Sequence, residues 1–379
     1  MRRIPYGRQF IDKSDIREVV RVLSSDWITQ GPKIKEFEEA LCKYTRAKYA
    51  VAVSSGTAAL HIACLAAGIK TGDEVITSPI TFVASANCVL YCGGRPVFAD
   101  IQRDTVNIDP DEVKKKITER TKAIIPVHFA GHPCDLEEIG RLAKERGLAV
   151  IEDAAHALGA KYKNSKIGSC KYSDMTILSF HPVKHITTGE GGAVLTNSKD
   201  LYEKLLILRN HGITKEAAKL EKNDGSWYYE QHLLGFNYRI TDFQCALGAS
   251  QLKKLERFIE RRREIADIYG KKLLSVDEII LPQEKSYVRS AWHLYCIQLK
   301  DSKRRRTVFD RLRKEGIGAQ VHYIPVHLQP YYARHLNYKK GDYPKAEGYY
   351  EKAITLPIFF SLSNPKLFFV IEKLKKALV

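Results

Sequence analysis

Between residues 48 and 200, short β-rich apolar runs alternate with stretches whose apolar positions follow a helical period. KYAVAVSS (48–55) predicts a strand, and GTAALHIACLAAG (56–68) the helix behind it. DEVITS (73–78) predicts a strand, TFVASANCVLYCG (81–93) a helix opened by Phe82, and RPVFADI (95–101) another strand. KAIIPVHF (122–129), LAVIEDAA (148–155) and MTILSFH (175–181) predict further strands. The amphipathic stretch DLEEIGRLAKERG (135–147) lies between the first two of these and predicts a helix closed by Gly147. This alternation predicts an α/β fold in which helices cover both faces of a mainly parallel, mixed sheet.

The pattern changes after Asn237. Residues 240–273 form one long helical stretch with room for a bend, and it leads into a smaller α+β region. There HLYCIQL (293–299) predicts a strand, RRRTVFDRLRKEG (304–316) a helix, GAQVHYIP (318–325) a strand and PKLFFVIEKLKKAL (365–378) a closing helix. The predicted division is a large unit, 1–255, and a small C-terminal unit, 256–379. Neither an internal repeat nor a low-complexity linker interrupts it.

At 379 residues the chain is long enough for a full catalytic core. No apolar stretch is long enough to span a bilayer, and the basic amino terminus lacks the apolar segment of a signal peptide, so a cytoplasmic protein with no membrane partner is expected. The eight cysteines form no CxxC pair and no zinc-type spacing, which predicts free thiols and no metal. The net charge of +17 raises nucleic-acid binding. Against it, the basic runs at 114–116, 261–263 and 304–306 lie in amphipathic helical contexts that also carry acidic residues, as solvated helix faces do. The same charge would attract an anionic cofactor and a diphosphate substrate.

Four segments carry candidate chemistry. In LSFHPVKHITTGEGGAVLTN (178–197) a strand ends at Ser179-Phe180, a polar loop follows with the single Lys184, and glycines lead into another strand. A lysine on such a loop, in a partly dry pocket, can have a lowered pKa and form a Schiff base. The plain alternative is a solvated surface lysine. In VIEDAAHALGA (150–160) Asp153 closes an apolar strand, suited to hold a protonated ring nitrogen, and His156 follows; a helix-capping aspartate is the alternative. In SSGTAAL (54–60) a helix opens straight after a strand, and Gly56, Thr57 and Ala58 are candidates to cradle a phosphate. In SPITFVASAN (78–87) Phe82 can stack on an aromatic ring or simply fill the core.

Taken in order along the chain, these segments resemble the DegT/DnrJ/EryC1/StrS sugar aminotransferases, a family of fold-type I pyridoxal-phosphate (PLP) enzymes. The resemblance runs nearly end to end and includes VHFAGHPCDL (127–136), RNHGI (209–213), GFNYRITDFQCALGASQL (235–252) and ITLPIF (354–359). It implies that Lys184 carries the cofactor covalently, Asp153 holds its pyridine nitrogen, Phe82 stacks on its ring and His156 lies beside it. It also implies that Gly56, Thr57 and Ser179 hold the phosphate, that Asn237 reaches the phosphate of a partner subunit, and that the protein is a homodimer with shared sites. HPVKHITTGEGG and AQVHYIPVHLQPYY look most like the members of pseudaminic acid pathways, which aminate C4 of a UDP-linked 4-keto-6-deoxy-N-acetylhexosamine with L-glutamate as donor. By that similarity Tyr6, Trp27, Ile28, Thr29, Gln30, Val321, His322, Tyr323 and Ile324 line the nucleotide-sugar site. Other members act at C3 or on dTDP- or GDP-sugars. A sugar dehydratase of this scaffold carries His in place of the lysine, and a PLP-binding DNA regulator carries an added DNA-binding domain, for which the motifs beginning near residue 1 leave no room.

Overall fold

The computed structural model describes residues 3–379. Seven strands form one sheet: β1 (Tyr49–Val53), β2 (Glu74–Thr77), β3 (Arg95–Phe98), β4 (Thr121–Ile125), β5 (Ala149–Asp153), β6 (Met175–Ser179) and β7 (Gly192–Thr196). Their order across the sheet is β1-β7-β6-β5-β4-β2-β3. The pairs from β6 to β3 are parallel, whereas β7 is antiparallel to both β6 and β1. β7 alone therefore runs against the rest, which gives the mainly parallel, mixed sheet expected from the alternation. The strands read as apolar runs because both faces are covered: Val51, Val53, Ile76, Ile124, Ile151, Ile177 and Val194 are all fully buried. The helix Gly56–Ala66 packs on β6 and β7 and against the helix Ala84–Tyr91. The helix Leu136–Arg146 ends where expected, at Gly147 in the left-handed conformation (φ 65°).

The amino-terminal helix Lys13–Leu23 lies against the helix Asp242–Leu252 through a buried polar joint. The Asp15 carboxylate accepts hydrogen bonds from Ser250 Oγ (2.7 Å), Gln251 Nε2 (2.7 Å) and Lys254 Nζ (2.6 Å). The long helical stretch is broken at Lys253-Lys254, and its second half, Leu255–Leu273, belongs to two cores. Leu255, Phe258 and Ile259 pack into the core beneath the large sheet, while Ile265, Tyr269 and Leu273 pack against a three-stranded antiparallel sheet of Ile279–Ile280, Tyr295–Leu299 and Ala353–Leu356. The helices Arg305–Lys314 and Asn364–Leu378 cover that smaller sheet.

Two expectations change. GAQVHYIP is not a strand: its backbone makes one isolated bridge, Gln320 to Thr355, and then leaves the sheet. Gly318 approaches the Ile4 carbonyl too closely for any side chain, and the His322 carbonyl is taken by the Tyr349 hydroxyl (3.0 Å), so the segment is held as a loop by contacts that no period-two pattern encodes. Phe82 does not open a helix; the helix begins at Ala84, and Phe82 stands before it, 60 % exposed. All eight cysteines are free thiols, and among the described residues no group of three or more His, Cys, Asp or Glu could hold a metal. No described helix is long and apolar enough to cross a membrane.

Candidate active site

The carboxyl ends of β5 and β6 and the amino-terminal end of the helix Gly56–Ala66 open into a cavity of about 580 Å³. That is within the range of roughly 300–1,000 Å³ for small-molecule sites. Crevices at strand carboxyl ends are where open α/β sheets bind ligands.

Lys184 lies on the loop between β6 and β7. The two strands pair from Met175↔Thr196 to Ser179↔Gly192, and the loop is pinned by Phe180 N–H to the Gly191 carbonyl (2.9 Å) and Thr188 N–H to the Phe180 carbonyl (3.0 Å). Lys184 lines the cavity, and among the described residues no carboxylate lies within 4 Å of its amine. Burial pushes the amine down to about 8, the nearby Asp153 carboxylate opposes that shift, and the Arg262 guanidinium adds to it. Arg262 is itself buried and donates to the carbonyls of Trp292, His293 and Ile358, with burial lowering it to about 10.

Glu152 and Asp153 close β5 on opposite faces, as successive strand residues must. Glu152 turns away and is bound by His128 Nε2 (2.8 Å) and Thr176 Oγ1 (3.2 Å). Asp153 lines the cavity, 6 % exposed, and its carboxylate accepts from Ser85 Oγ (2.6 Å) and Ala155 N–H (3.1 Å). It caps a turn rather than a helix. His156 follows on that turn with Nδ1 buried and without a partner, while Nε2 meets the Tyr323 hydroxyl at 3.2 Å. Burial, with the charge of Lys184 and the neighbouring His322 and His185, holds His156 well below the usual histidine range, so it is neutral.

At the far end, Ser55 caps the helix Gly56–Ala66, its Oγ accepting from Ala58 N–H (3.1 Å). Gly56 and Thr57 line the cavity, and as first-turn residues their N–H groups have no intrahelical acceptor. Gly56 has no room for a side chain: a Cβ there would stand 2.9 Å from Ser179 Cβ and 3.2 Å from Ser179 Oγ. Gly192 is equally constrained, since a Cβ would meet the Ser55 carbonyl at 2.5 Å, which lets β7 pass directly beneath the helix start.

Tyr6, Phe82, Val321, His322 and Tyr323 line the same cavity. Other residues singled out in the sequence do not. Ala58 is buried beneath the cavity with its N–H already taken. The segment Trp27–Gln30 runs beside the start of the helix Asp242–Leu252, with the Ile28 carbonyl accepting from Asp242 N–H and Thr29 bridging Thr241. Gln30 lines a different cleft, with Arg209 and Arg239. Ile324 is exposed outside the cavity. Asn237 is exposed and bridges Asn210, one residue from Tyr238, whose carbonyl accepts from Ser54 N–H.

Sequence reasoning passed over Ser85 and His293. Ser85 sits one helical turn beyond Phe82 in a segment already singled out, so its hydroxyl was a usable signal. His293, whose ring lies 4.3 Å from that of His156, offered only a lone histidine ahead of an apolar strand.

These features match a known family over almost the whole chain. The model of the "DegT/DnrJ/EryC1/StrS aminotransferase family" matches residues 9–375. The chain belongs to that family. The spore coat polysaccharide biosynthesis protein SpsC of Bacillus subtilis is 43 % identical over 98 % of this chain and 96 % of its own. The UDP-4-amino-4,6-dideoxy-N-acetyl-beta-L-altrosamine transaminase of Campylobacter jejuni is 39 % identical over 98 % and 99 %. Among solved structures, Helicobacter pylori PseC, an aminotransferase involved in pseudaminic acid biosynthesis, superimposes with a TM-score of 0.92 at 35 % identity, covering 100 % of this chain and 99 % of that one. This family member is therefore a PLP-dependent sugar aminotransferase. The cavity fits such a cofactor: it offers an amine without a salt bridge, a buried carboxylate, a helix start that only glycine can form, and the orphaned Nδ1 of His156.

Proposed function

We propose that the enzyme transfers an amino group from L-glutamate to C4 of a UDP-linked 4-keto-6-deoxy-N-acetylhexosamine, as in pseudaminic acid-type pathways. The observation that carries this reading is the convergence on one cavity of Lys184 and Asp153 with Tyr6 and the loop Val321–Tyr323. The Campylobacter relative, by its name, handles a sugar of this kind.

PLP, when bound, supplies the electron sink that makes the donor and acceptor carbons acidic. Lys184, Asp153, Phe82, His156, Gly56, Thr57 and Ser179 are the residues that would hold it. Lys184 Nζ, with its lowered proton affinity, takes the proton from the α-carbon of glutamate in the first half-reaction. In the second half-reaction it delivers a proton to the sugar carbon that gains nitrogen. Asp153 keeps a proton on the ring nitrogen, and Ser85 and Ala155 hold its carboxylate in place for that task. The first-turn N–H groups of Gly56 and Thr57, with the Ser179 hydroxyl, bind the phosphate. Tyr6 and the loop Val321–Tyr323 form the sugar side of the cavity.

The same reading makes the protein a cytoplasmic homodimer, with Asn237 contributed to the phosphate of the second copy. It is supported by apolar side chains left uncovered on one chain, among them Trp27 at 57 % exposure and Leu234 at 81 %. Trp27–Gln30 and Ile324 then reach the nucleotide sugar from outside the cavity of a single chain. A large unit, 1–255, and a small unit, 256–379, divide within the helix that serves both cores.

A second reading has its own support: the greater identity to SpsC favours a different nucleotide keto-sugar, destined for a surface polysaccharide. Incubation with glutamate and a panel of UDP-, dTDP- and GDP-linked keto-sugars, with products identified by NMR, separates the two. A C4 amine on the UDP sugar is expected. A C3 amine, or a strong preference for a dTDP- or GDP-sugar, overturns the C4 assignment in favour of the second reading. Amination of free α-keto acids alone overturns both.

A further inference from the structure

The Tyr323 hydroxyl has one hydrogen-bonding neighbour among the described residues, His156 Nε2 at 3.2 Å. The tyrosine is not free to look elsewhere. Its loop is fixed by the Tyr349 hydroxyl on the His322 carbonyl (3.0 Å) and by His322 Nδ1 on Thr355 Oγ1 (2.8 Å), and its ring packs near Phe129 and Phe82. The His156 ring is flanked on one side by the ring of His293, 4.3 Å away, whose residue is fixed through its backbone N–H on the Ala130 carbonyl (2.8 Å).

We propose that Tyr323 is a positioning residue: by donating to Nε2 it fixes His156 as the tautomer with its proton on Nδ1, so that the ring presents an N–H donor, rather than a lone pair, to an oxyanion in the cavity. The inference rests on His156 lying beside the cofactor, as proposed above.

A count of donors and acceptors favours this arrangement. If the phenol donates to Nε2, one group is left over, the buried Nδ1–H. If Nε2–H donates instead, two groups are left over: the phenolic hydrogen and a buried Nδ1 lone pair. Unmade hydrogen bonds in a buried site cost more than made ones return, so the first arrangement is preferred. Both partners are uncharged, since burial raises the phenol and lowers the imidazole. Tyr323 is then a link between the sugar-side loop and the cofactor face, a role it carries in addition to lining the sugar side of the cavity. A positioned donor of this kind stabilises charge on an oxyanion only while its tautomer is fixed.

The direct test is NMR on the apoprotein labelled with ¹⁵N-histidine, with the His156 signals assigned by their loss in His156→Gln. The expected result is a protonated Nδ1 and an unprotonated Nε2 in the parent, and an altered or mixed tautomer in Tyr323→Phe. A parent already protonated on Nε2, or an unchanged His156 pattern in a folded Tyr323→Phe, overturns the proposal. Because the parent spectrum alone decides the first point, the test survives a variant that fails to fold. It also needs no substrate, so its failure is distinguishable from failure of the sugar assignment.

A kinetic cycle gives an independent check. Tyr323→Phe should lower kcat about tenfold, the scale of one lost hydrogen bond, with KM for the nucleotide sugar little changed. In the His156→Gln background the same change should cost nothing further, because an amide offers N–H without needing a fixed tautomer. An equal loss in both backgrounds shows that Tyr323 acts independently of His156 and overturns the proposal.

Discussion

Reaction of the apoprotein with PLP should turn on as the pH rises through about 8, far below the pH at which an ordinary lysine becomes reactive. Attack on the aldehyde needs the neutral amine. Burial lowers Lys184 to about 8 because it disfavours the ammonium; Asp153 resists the shift and Arg262 reinforces it. The free-base fraction grows above that midpoint and shrinks below it. At pH 7 an amine with a midpoint of about 8 is free to about 9 %, against about 0.03 % for one at 10.5, an advantage of roughly 300-fold. The assay mixes apoprotein with PLP between pH 6.5 and 10.5 and follows cofactor absorbance in a stopped flow. Below pH 8 the rate should climb about tenfold per pH unit, and it should level off by about pH 9. The phosphate ionises near 6, below this window. Asp153→Asn removes the carboxylate that favours the ammonium, so the midpoint should move down. A rate still climbing at pH 10, or a midpoint that moves up in Asp153→Asn, would show that Lys184 is neither desolvated nor coupled to Asp153 as described.

Asp153→Asn should leave the fold intact and cut transamination by far more than about tenfold, or 1.4 kcal/mol in barrier; activity within that range would reduce Asp153 to a capping residue. Gly56→Ala places a methyl group 2.9 Å from Ser179 Cβ, so the helix start must shift, and PLP affinity should fall at least about tenfold together with some loss of stability; fluorescence titration of apoprotein finding Kd within twofold of the parent would contradict the cradle. Mixing Lys184→Ala with Asn237→Ala protomers should restore activity, because one site of the mixed dimer is intact. No recovery, or a monomer by light scattering, would remove the shared site.

The sheet was legible because its strands are buried on both faces and so read as apolar runs such as YAVAV and the AVI that precedes Glu152 and Asp153. Lys184 was legible because a hairpin-like connection between β6 and β7 isolates it on a polar loop. What the sequence hid are contacts between distant segments. Ser85 meets Asp153 across 68 residues, and His156 meets Tyr323 across 167; no local period records either. The segment 318–325 misled for the same reason. Its residues suit a strand, but Ile4, Tyr349 and Thr355 hold it in a loop that lines the cavity. Trp27–Gln30 and Asn237 stood out by motif, yet on one chain they lie outside the cavity, which is why the dimer remains the experiment that places them.

The most direct measurement is reduction of the native holoenzyme with borohydride, followed by peptide mapping. PLP should be fixed to a single peptide, the one containing Lys184, and Lys184→Ala should abolish the label. A label on any other lysine, or none at all, would contradict the site built around this residue.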